Sequence, residues 1–364
     1  MEQNKGLVDL MLSQGAIYGS ETCPPLSFGD IQKEYAAARN DAVVFDISNR
    51  SKIEMTGPDV PAFLNNICTN QVADLPLGGG CEAFLTTAKA KAVAHIRVYH
   101  IQLADGRHAY WVDGAPDQNR KIEQHLDHYL ISEQVAFADR TADYAQFLVM
   151  GPKSKELISK LIQEELPELG IHQFLVRSLE TAGSCQIRFE PDFNVPAYEI
   201  VCLKSRSVHV WKALISHHAI PGGTEALDIL RVEAGFPEAG KEIEDTTFIP
   251  ELNRAVQAIC STKGCYLGQE PIVMARDRGQ VNRLLFGMLL EKNIVKHGSL
   301  VFRDGNEVGR VTSSVYSPSL KQNIALGYLR RGNHELGTSF EVECEGTKQT
   351  AVSCSLPFLS LIHI

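Results

Sequence analysis

The sequence predicts an α+β fold, with two α+β modules in tandem followed by a small antiparallel barrel or sandwich. Three observations lead to this fold class. A strand–turn–helix pattern occurs twice, the segment between the two copies has the pattern of a β-hairpin, and the chain from about residue 284 onward consists of short strands divided by turns. The predicted boundaries are residues 1–145 and 146–280 for the modules and 281–364 for the last domain. A length of 364 residues is sufficient for two or three domains.

The repeated pattern is IEMTGPDVPAFL at residues 53–64 and FLVMGPKSKEL at residues 147–157. Each copy begins with apolar residues typical of a strand, continues through Gly-Pro, and then takes on the spacing of an amphipathic helix. Pro58 and Pro152 fix φ at the turn and are well tolerated in the first turn of a helix. Roughly 94 residues separate the copies, which is too long for a solenoid repeat. We therefore expect two related modules; chance recurrence of a common motif is the alternative.

The remaining strands are predicted from alternation and turn residues. Residues 92–102 and 108–114 are two strand-like runs joined by a polar turn, and residues 119–132 return to helical spacing. In the last domain, Asp304-Gly305 is a strong signal for a two-residue hairpin. The final residues, LSLIHI, belong to none of these strands.

Composition excludes several classes of function. The formal net charge of −9 repels phosphate backbones, so we expect no direct nucleic-acid binding. No run of about 18 apolar residues is present, and the first residues lack the pattern of a signal peptide. The expectation is a cytoplasmic protein without a membrane span.

The nine cysteines are scattered and form neither a CxxC motif nor the pattern of a disulfide framework. Cys260 and Cys265 are five residues apart, which is too wide for a zinc knuckle. The HxxH pair at His125 and His128 is typical of solvated or satisfied side chains. No metal site is predicted.

The stretch KGCYLGQEPIVMARDRGQ, residues 263–280, is the strongest candidate for chemistry. Gly264 and Gly268 allow a tight bend around Cys265. A thiol just before a helix N-terminus and two residues from Lys263 lies where a thiolate is favoured. The alternative is a buried cysteine that packs as a small hydrophobic residue.

A second candidate lies in ALDILRVEAGFPEAGKEIEDTTFIPE, residues 226–251. Glu233 directly precedes Ala234-Gly235, where an apolar helix is expected to end. Its carboxylate is either a solvated residue at the helix end or an acceptor for a pair of N–H donors from a heterocycle such as a pterin or purine.

KGCYLGQE closely resembles the signature of the YgfZ-type folate-binding proteins, relatives of the glycine-cleavage T-protein (aminomethyltransferase). Residues 39–75, LRVEAG (230–235) and VGRVTSSVYSPSLKQNIALGYLRR (308–331) resemble other segments of that superfamily, in the same order. The resemblance spans nearly the whole chain. It implies three domains around a central opening that holds a tetrahydrofolate, with a C-terminal antiparallel β-barrel, and it favours a monomer.

The resemblance also implies roles for individual side chains. Glu233 would hold the amino edge of the pterin, and the segment from Tyr110 to Asp113 and the strand of Phe84 would line the same opening. The residues assigned to folate binding are Glu233, Phe84, Tyr110, Asp113, Tyr266 and Gln269. Lys263 and Cys265 would face the opening and are the candidate catalytic residues.

One departure bears on the activity. Aminomethyltransferases carry an acidic pair where this chain has Ala94 and His95, and an imidazole cannot supply a fixed negative charge. Ordinary glycine-cleavage chemistry is therefore not expected. The resemblance instead implies an accessory protein that supports iron–sulfur enzyme assembly or repair and, through such enzymes, tRNA modification.

In that role Cys265 would be a nucleophile, a redox group or a transient cluster ligand, because one thiol cannot hold a cluster alone. The expected partners are a folate and iron–sulfur client enzymes. The alternative is a folate-dependent one-carbon transferase, an aminomethyltransferase or demethylase variant. A third reading, an interaction protein without folate, predicts no folate binding.

Overall fold

A computed structural model describes residues 2–20, 23–179, 182–279 and 281–359, and of residues 2–5 it describes the backbone alone. Of the final segment LSLIHI, residues 359–364, only Leu359 lies within the described residues, so the expectation that this segment belongs to no strand is not tested beyond Leu359. Contacts group the chain into two compact units. Unit 1 comprises residues 1–64, 72–82 and 96–227, and unit 2 comprises residues 65–71, 83–95 and 228–364. The division at residues 145 and 280 follows a different criterion and stays a prediction.

The helices and strands are interleaved along the chain, as an α+β fold requires. The helices are α1 (Glu2–Ser13), α2 (Ile31–Asn40), α3 (Val60–Ile67), α4 (Asn119–Tyr129), α5 (Ser154–Ile162), α6 (Ser207–Ser216), α7 (Thr224–Glu233), α8 (Ala255–Ala258) and α9 (Gln269–Arg278). The strands are β1 (Val43–Asp46), β2 (Arg50–Thr56), β3 (Gly80–Thr86), β4 (Ala92–Gln102), β5 (His108–Pro116), β6 (Ala136–Asp139), β7 (Tyr144–Met150), β8 (Phe174–Leu179), β9 (Gly183–Phe189), β10 (Ala197–Leu203), β11 (Ile220–Gly222), β12 (Arg283–Leu290), β13 (Leu300–Arg303), β14 (Asn306–Ser317), β15 (Gln322–Arg330), β16 (Ser339–Cys344) and β17 (Thr347–Cys354).

The two strand–turn–helix copies predicted from the sequence are confirmed. The first runs from β2 into α3 and the second from β7 into α5. Gly57 and Gly151 have φ of +127° and +124°, and a Cβ at either would lie 1.9 Å from the oxygen of Gln134 or 2.3 Å from that of Asp41. Both turns therefore require glycine for the same two reasons, backbone conformation and close approach of another chain segment.

The larger sheet of unit 1 has the strand order β11-β1-β7-β10-β9-β8. β11 pairs parallel with β1, and the other neighbours are antiparallel. One face carries an apolar core in which Trp211 of α6 and Leu157 of α5 pack against Phe147 of β7. Because strand side chains alternate between faces, charged residues within these strands point to the opposite side.

A second sheet has the order β3-β4-β5-β2-β6. The predicted hairpin is confirmed as β4 and β5, with His100 opposite Tyr110. β3 and β4 each contribute residues to both units, dividing between residues 82 and 83 and between residues 95 and 96. The predicted helix near residue 119 is α4, which buries Ile122 and Leu126.

Unit 2 contains a closed antiparallel barrel in the order β12-β15-β14-β13-β16-β17. Closure decides between the barrel and the sandwich, and it leaves no unpaired strand edge. At the predicted hairpin, Asp304 and Gly305 have φ of +51° and +76°, as a two-residue turn between twisted strands requires. Among the described residues, no helix is long and apolar enough to span a membrane.

Candidate functional site

The signature segment, residues 263–270 with the sequence KGCYLGQE, is a turn that leads into α9 in unit 2. Gly268 immediately precedes the helix with φ of +80°, and a Cβ there would lie 2.6 Å from Thr86 Oγ1. At Gly264, by contrast, φ is not positive and a Cβ would meet nothing within 4 Å. Only the second glycine is therefore required by the backbone.

Lys263 holds the signature segment in place. Its ammonium donates to three backbone oxygens, those of Asn65 at 2.6 Å, Cys68 at 3.0 Å and Asn70 at 2.5 Å. It also lies 5.1 Å from the centre of the Tyr266 ring, within range of a cation–π interaction. With three carbonyl acceptors, the hydrogen-bonding capacity of this buried ammonium is satisfied, and the lysine acts as a clamp between the signature segment and residues 65–70. This geometry favours a structural role, and the catalytic role of Lys263 stays a prediction.

Further hydrogen bonds tie the signature segment to its neighbours in unit 2. Leu267 N donates to Asn66 O at 2.8 Å, and Thr86 Oγ1 donates to Leu267 O at 2.8 Å. The Thr69 hydroxyl donates to Ala258 O at 2.6 Å. The loop at residues 65–70 and the end of β3 therefore support the segment from two directions.

Cys265 is solvent-exposed and forms no disulfide. Exposure excludes the reading as a buried hydrophobic filler. The next residue, Tyr266, is 8% exposed and packs with Ala90 and Ile272, and burial raises the pKa of its phenol to about 12. The segment thus presents a thiol to solvent next to an anchored aromatic ring.

A cleft of about 550 Å³ lies beside the signature segment within unit 2. Its lining includes Tyr266 and Gln269, together with Ile259, Ile272 and Arg276. Cys260 also lines it, with its Sγ 3.4 Å from Thr262 Oγ1, and this hydrogen bond lowers the pKa of the thiol. Sequence reasoning missed Cys260, because it considered this residue only for a zinc site, for which its spacing from Cys265 is too wide.

Glu233 is the last residue of α7, and its side chain is fully buried. The Ser317 hydroxyl donates to the carboxylate, and Phe358 N donates to the Glu233 carbonyl at 2.9 Å. The following turn at Gly235 has φ of +67°, so the helix ends where expected. Burial removes the reading of Glu233 as a solvated residue at the helix end.

Phe84 lies in the same unit and stacks on the His95 ring, with centroids 4.6 Å apart and planes at 18°. On another side, His95 lies 5.6 Å from the Phe236 ring. Ala94 is fully buried. The two positions that differ from the acidic pair are thus occupied by a methyl group in the core and an imidazole between aromatic rings.

Tyr110 and Asp113 lie on β5 and belong to unit 1. Tyr110 stacks on His100, with centroids 4.6 Å apart and planes at 8°. Asp113 is 1% exposed and forms an ion pair with Arg188. The structure therefore groups Lys263, Cys265, Tyr266, Gln269, Glu233 and Phe84 in one unit, and Tyr110 and Asp113 in the other.

Asp113 belongs to a buried ionic cluster. Arg97 Nε lies 3.0 Å from Glu190 Oε2, and Arg97 NH1 lies 3.2 Å from Glu199 Oε1. Arg188, fully buried, lies 3.8 Å from Glu199 Oε2. Sequence reasoning missed this cluster, although charged residues within otherwise apolar strands β9 and β10 were a usable signal.

Four polar atoms in and around the ionic cluster are buried without a hydrogen-bond partner among the described residues. The acceptors are Asp113 Oδ1 and Gln146 Oε1, and the donors are Arg50 Nε and Trp111 Nε1. Such groups are costly unless water or a ligand satisfies them. Within the described chain, no group of three or more His, Cys, Asp or Glu side chains is placed to hold a metal ion.

Two family models together match most of the chain. Residues 14–258 match the family described as GCVT N-terminal domain, and residues 283–359 match the glycine cleavage T-protein C-terminal barrel domain. A relative described as aminomethyltransferase, from Lysinibacillus sphaericus (strain C3-41), is 25% identical over 362 residues, which is 96% of each chain.

The glycine cleavage system aminomethyltransferase T from Bartonella henselae has a TM-score of 0.85 at 21% identity, over 97% of each chain, and shows that the fold is shared. The heterotetrameric sarcosine oxidase from Corynebacterium sp. U-96, in complex with pyrrole 2-carboxylate, has a TM-score of 0.36 at 13% identity, over 51% of this chain and 89% of that chain. The second value is too low to support a comparison.

Proposed function

The chain belongs to the glycine-cleavage T-protein family, and on that premise we propose that it binds a tetrahydrofolate and supports iron–sulfur enzymes through the thiol of Cys265. Within the family, the signature segment favours the YgfZ-type group of folate-binding proteins. The observation that carries the proposal is the exposure of Cys265 on a segment that Lys263 clamps from within. Because the Lys263 clamp already fixes the backbone around Cys265, a partner can reach the thiol without the entropic cost of ordering this loop.

The residues present fit a reduced pterin. Within unit 2, Glu233 is a buried carboxylate, and the amino edge of a pterin offers N–H groups to such an acceptor. Phe84, Tyr266 and Gln269 belong to the same unit and are proposed to contact the ligand. In unit 1, Asp113 Oδ1 is a buried acceptor without a described donor, and Asp113 and Tyr110 are the residues of that unit to which the resemblance assigns folate binding. A bound tetrahydrofolate would supply a carrier for one-carbon units.

Folate binding is tested by calorimetry with tetrahydrofolate on purified protein. Losing one hydrogen bond to a charged carboxylate costs about 1.5–3 kcal/mol, so we expect Glu233→Gln to weaken binding roughly 10- to 100-fold. Glu270→Gln changes an exposed carboxylate of the signature segment. It serves as the matched control, and we expect its affinity for tetrahydrofolate to be unchanged.

Asp113→Asn separates the two carboxylates in the same assay. If only Asp113→Asn weakens binding, Glu233 loses its assigned pterin contact while folate binding stands. If the wild-type protein shows no heat of binding, the folate proposal itself fails. Each variant is first compared with wild type by circular dichroism, because Asp113 is also paired with Arg188.

The role of Cys265 is tested in cells that lack the protein and depend on it for iron–sulfur enzyme activity. Since the side chain is exposed, Cys265→Ser should change the free energy of unfolding by less than about 0.5 kcal/mol. We expect the variant to accumulate normally but to restore no client activity. Full restoration would overturn the working-thiol proposal.

The alternative, a one-carbon transferase, has support in the relative described as an aminomethyltransferase. It requires turnover, whereas Ala94 and His95 provide no carboxylate at the position in question. Incubation with tetrahydrofolate and a panel of N-methyl and S-methyl donors distinguishes the two. Catalytic formation of 5,10-methylene- or 5-methyl-tetrahydrofolate would establish the transferase reading.

A further inference from the structure

Two cysteines remote in sequence from the signature segment lie opposite each other on neighbouring strands of unit 1. β9 and β10 pair antiparallel, with Val201 opposite Gln186. Continuing this register by one residue places Cys202 opposite Cys185. Both side chains are 1% exposed and belong to the same apolar core.

The type of strand pair decides how close these side chains come. Glu190 N donates to Ala197 O at 2.9 Å, which makes Glu190 and Ala197 a hydrogen-bonded pair. Hydrogen-bonded and non-hydrogen-bonded pairs alternate along an antiparallel ladder. Cys185 is an odd number of positions from Glu190, so Cys185 and Cys202 form a non-hydrogen-bonded pair. At such a pair the Cα atoms are about 4.5 Å apart, within the range of roughly 4.4–6.8 Å found in disulfides.

We propose that Cys185 and Cys202 form a redox-active dithiol that a low-molecular-weight disulfide converts into a cross-strand disulfide. The thiolate of one cysteine attacks a sulfur of the small disulfide, which forms a mixed disulfide and releases one small thiol. The second cysteine then attacks the protein sulfur of the mixed disulfide and releases the other small thiol. The protein loses two electrons and two protons, and the small disulfide gains both.

The order of attack follows from the surroundings of the two thiols. Contact with the Cys185 thiol and burial both raise the pKa of Cys202. A raised pKa lowers the thiolate fraction, and the thiolate is the nucleophile. Cys202 is therefore disfavoured as the first thiol to react, and we expect the mixed disulfide on Cys185.

Both sulfurs lie near strand ends, where Cys185 is also opposite Arg177 of β8 and Cys202 is opposite Ala145 of β7. Cys185 lies two residues from Gly183, where β9 begins, and Cys202 is next to Leu203, where β10 ends. Gly183 and Ser184 are exposed, and Leu203 is 48% exposed. Strand ends open at a lower free energy than the centre of a sheet, so oxidation does not require global unfolding.

The experiment uses the intact native protein and oxidised glutathione. After a timed incubation, free thiols are alkylated in denaturant and the digest is analysed by mass spectrometry. We expect linked peptides that contain residues 185 and 202, with the mass of two hydrogen atoms lost, and their disappearance after reduced glutathione is added. Cys68→Ser serves as the matched control, since Cys68 is buried opposite Leu85 rather than a cysteine. This variant should form the link as wild type does.

Two results would overturn the proposal. One is the absence of the 185–202 link in wild type while the exposed Cys265 is glutathionylated under the same conditions. The other is a link that appears only at urea concentrations that unfold the protein. Cys202→Ser adds a further check, because it should stop the reaction at a glutathione adduct on Cys185. The inference is independent of the proposed function, and neither folate nor client enzymes enter the assay.

Discussion

Replacing Lys263 by methionine tests whether this lysine is a clamp. The substitution keeps the apolar stem but removes the ammonium, so the backbone oxygens of Asn65, Cys68 and Asn70 each lose a donor. The bond to Cys68 O is buried, while those to Asn65 O and Asn70 O are partly exposed. Water can therefore replace the lysine at two of the three acceptors.

The magnitude follows from these environments. An unsatisfied buried carbonyl costs about 1–3 kcal/mol, and each partly exposed bond contributes about 0.5–1.5 kcal/mol net. Methionine also removes the cost of desolvating an ammonium, which offsets part of the loss. We expect Lys263→Met to lower the free energy of unfolding by about 2–4 kcal/mol.

The assay is urea-induced unfolding followed by far-ultraviolet circular dichroism, together with hydrogen exchange. Exchange should accelerate at the amides of Cys260 and Leu267, which donate to the backbone of residues 66–70. Lys91→Met is the matched control, because Lys91 donates to a single carbonyl, Thr246 O, in an exposed setting. If Lys263→Met unfolds at the midpoint of this control and leaves both amides protected, the clamp does not contribute as argued.

Two further predictions concern backbone conformation and pH. Gly268→Ala should lower the free energy of unfolding by about 2 kcal/mol or more, because φ is positive there and the added Cβ would contact Thr86. Gly264→Ala should change it by less than about 1 kcal/mol in the same urea titration. Equal effects of the two substitutions would contradict the geometry. Burial raises the pKa of Glu190, but its ion pair with Arg97 outweighs this and lowers the pKa to about 2. The stability that Glu190 contributes is present above the pKa of about 4.3 that it has in the unfolded chain, and it is lost as the pH falls toward 2. Glu190→Gln should therefore reduce the slope of the free energy of unfolding against pH in that window by up to about 1.4 kcal/mol per pH unit. Parallel profiles for the variant and the wild type would exclude this role.

Local patterns in the sequence predicted much of the fold. The Gly-Pro turns at residues 57–58 and 151–152, the β4–β5 hairpin and the Asp304-Gly305 turn are each encoded by adjacent residues, and the structure confirms all of them. The α+β class, the barrel and membership of the wider family are confirmed as well. These features depend on backbone preferences that act over a few residues.

Contacts between distant segments were beyond the reach of such patterns. The acceptors of the Lys263 ammonium lie 193 to 198 residues away in sequence, so proximity to Cys265 suggested an electrostatic role that the geometry does not favour. The ionic cluster around Arg97 combines residues from several strands, and no short window contains it. A side chain's partner is set by strand order, which single-sequence reasoning does not determine.

The two glycines of the signature segment differ in whether the fold requires them. Gly268 must be glycine because its φ is positive and Thr86 is close. Gly264 meets neither condition, and a side chain there would project into open space next to the exposed Cys265. No contact among the described residues explains a glycine at position 264. If the proposed function holds, a partner that approaches the Cys265 thiol passes this open space, so the clamp, the exposed sulfur and the missing side chain agree with the working-thiol proposal.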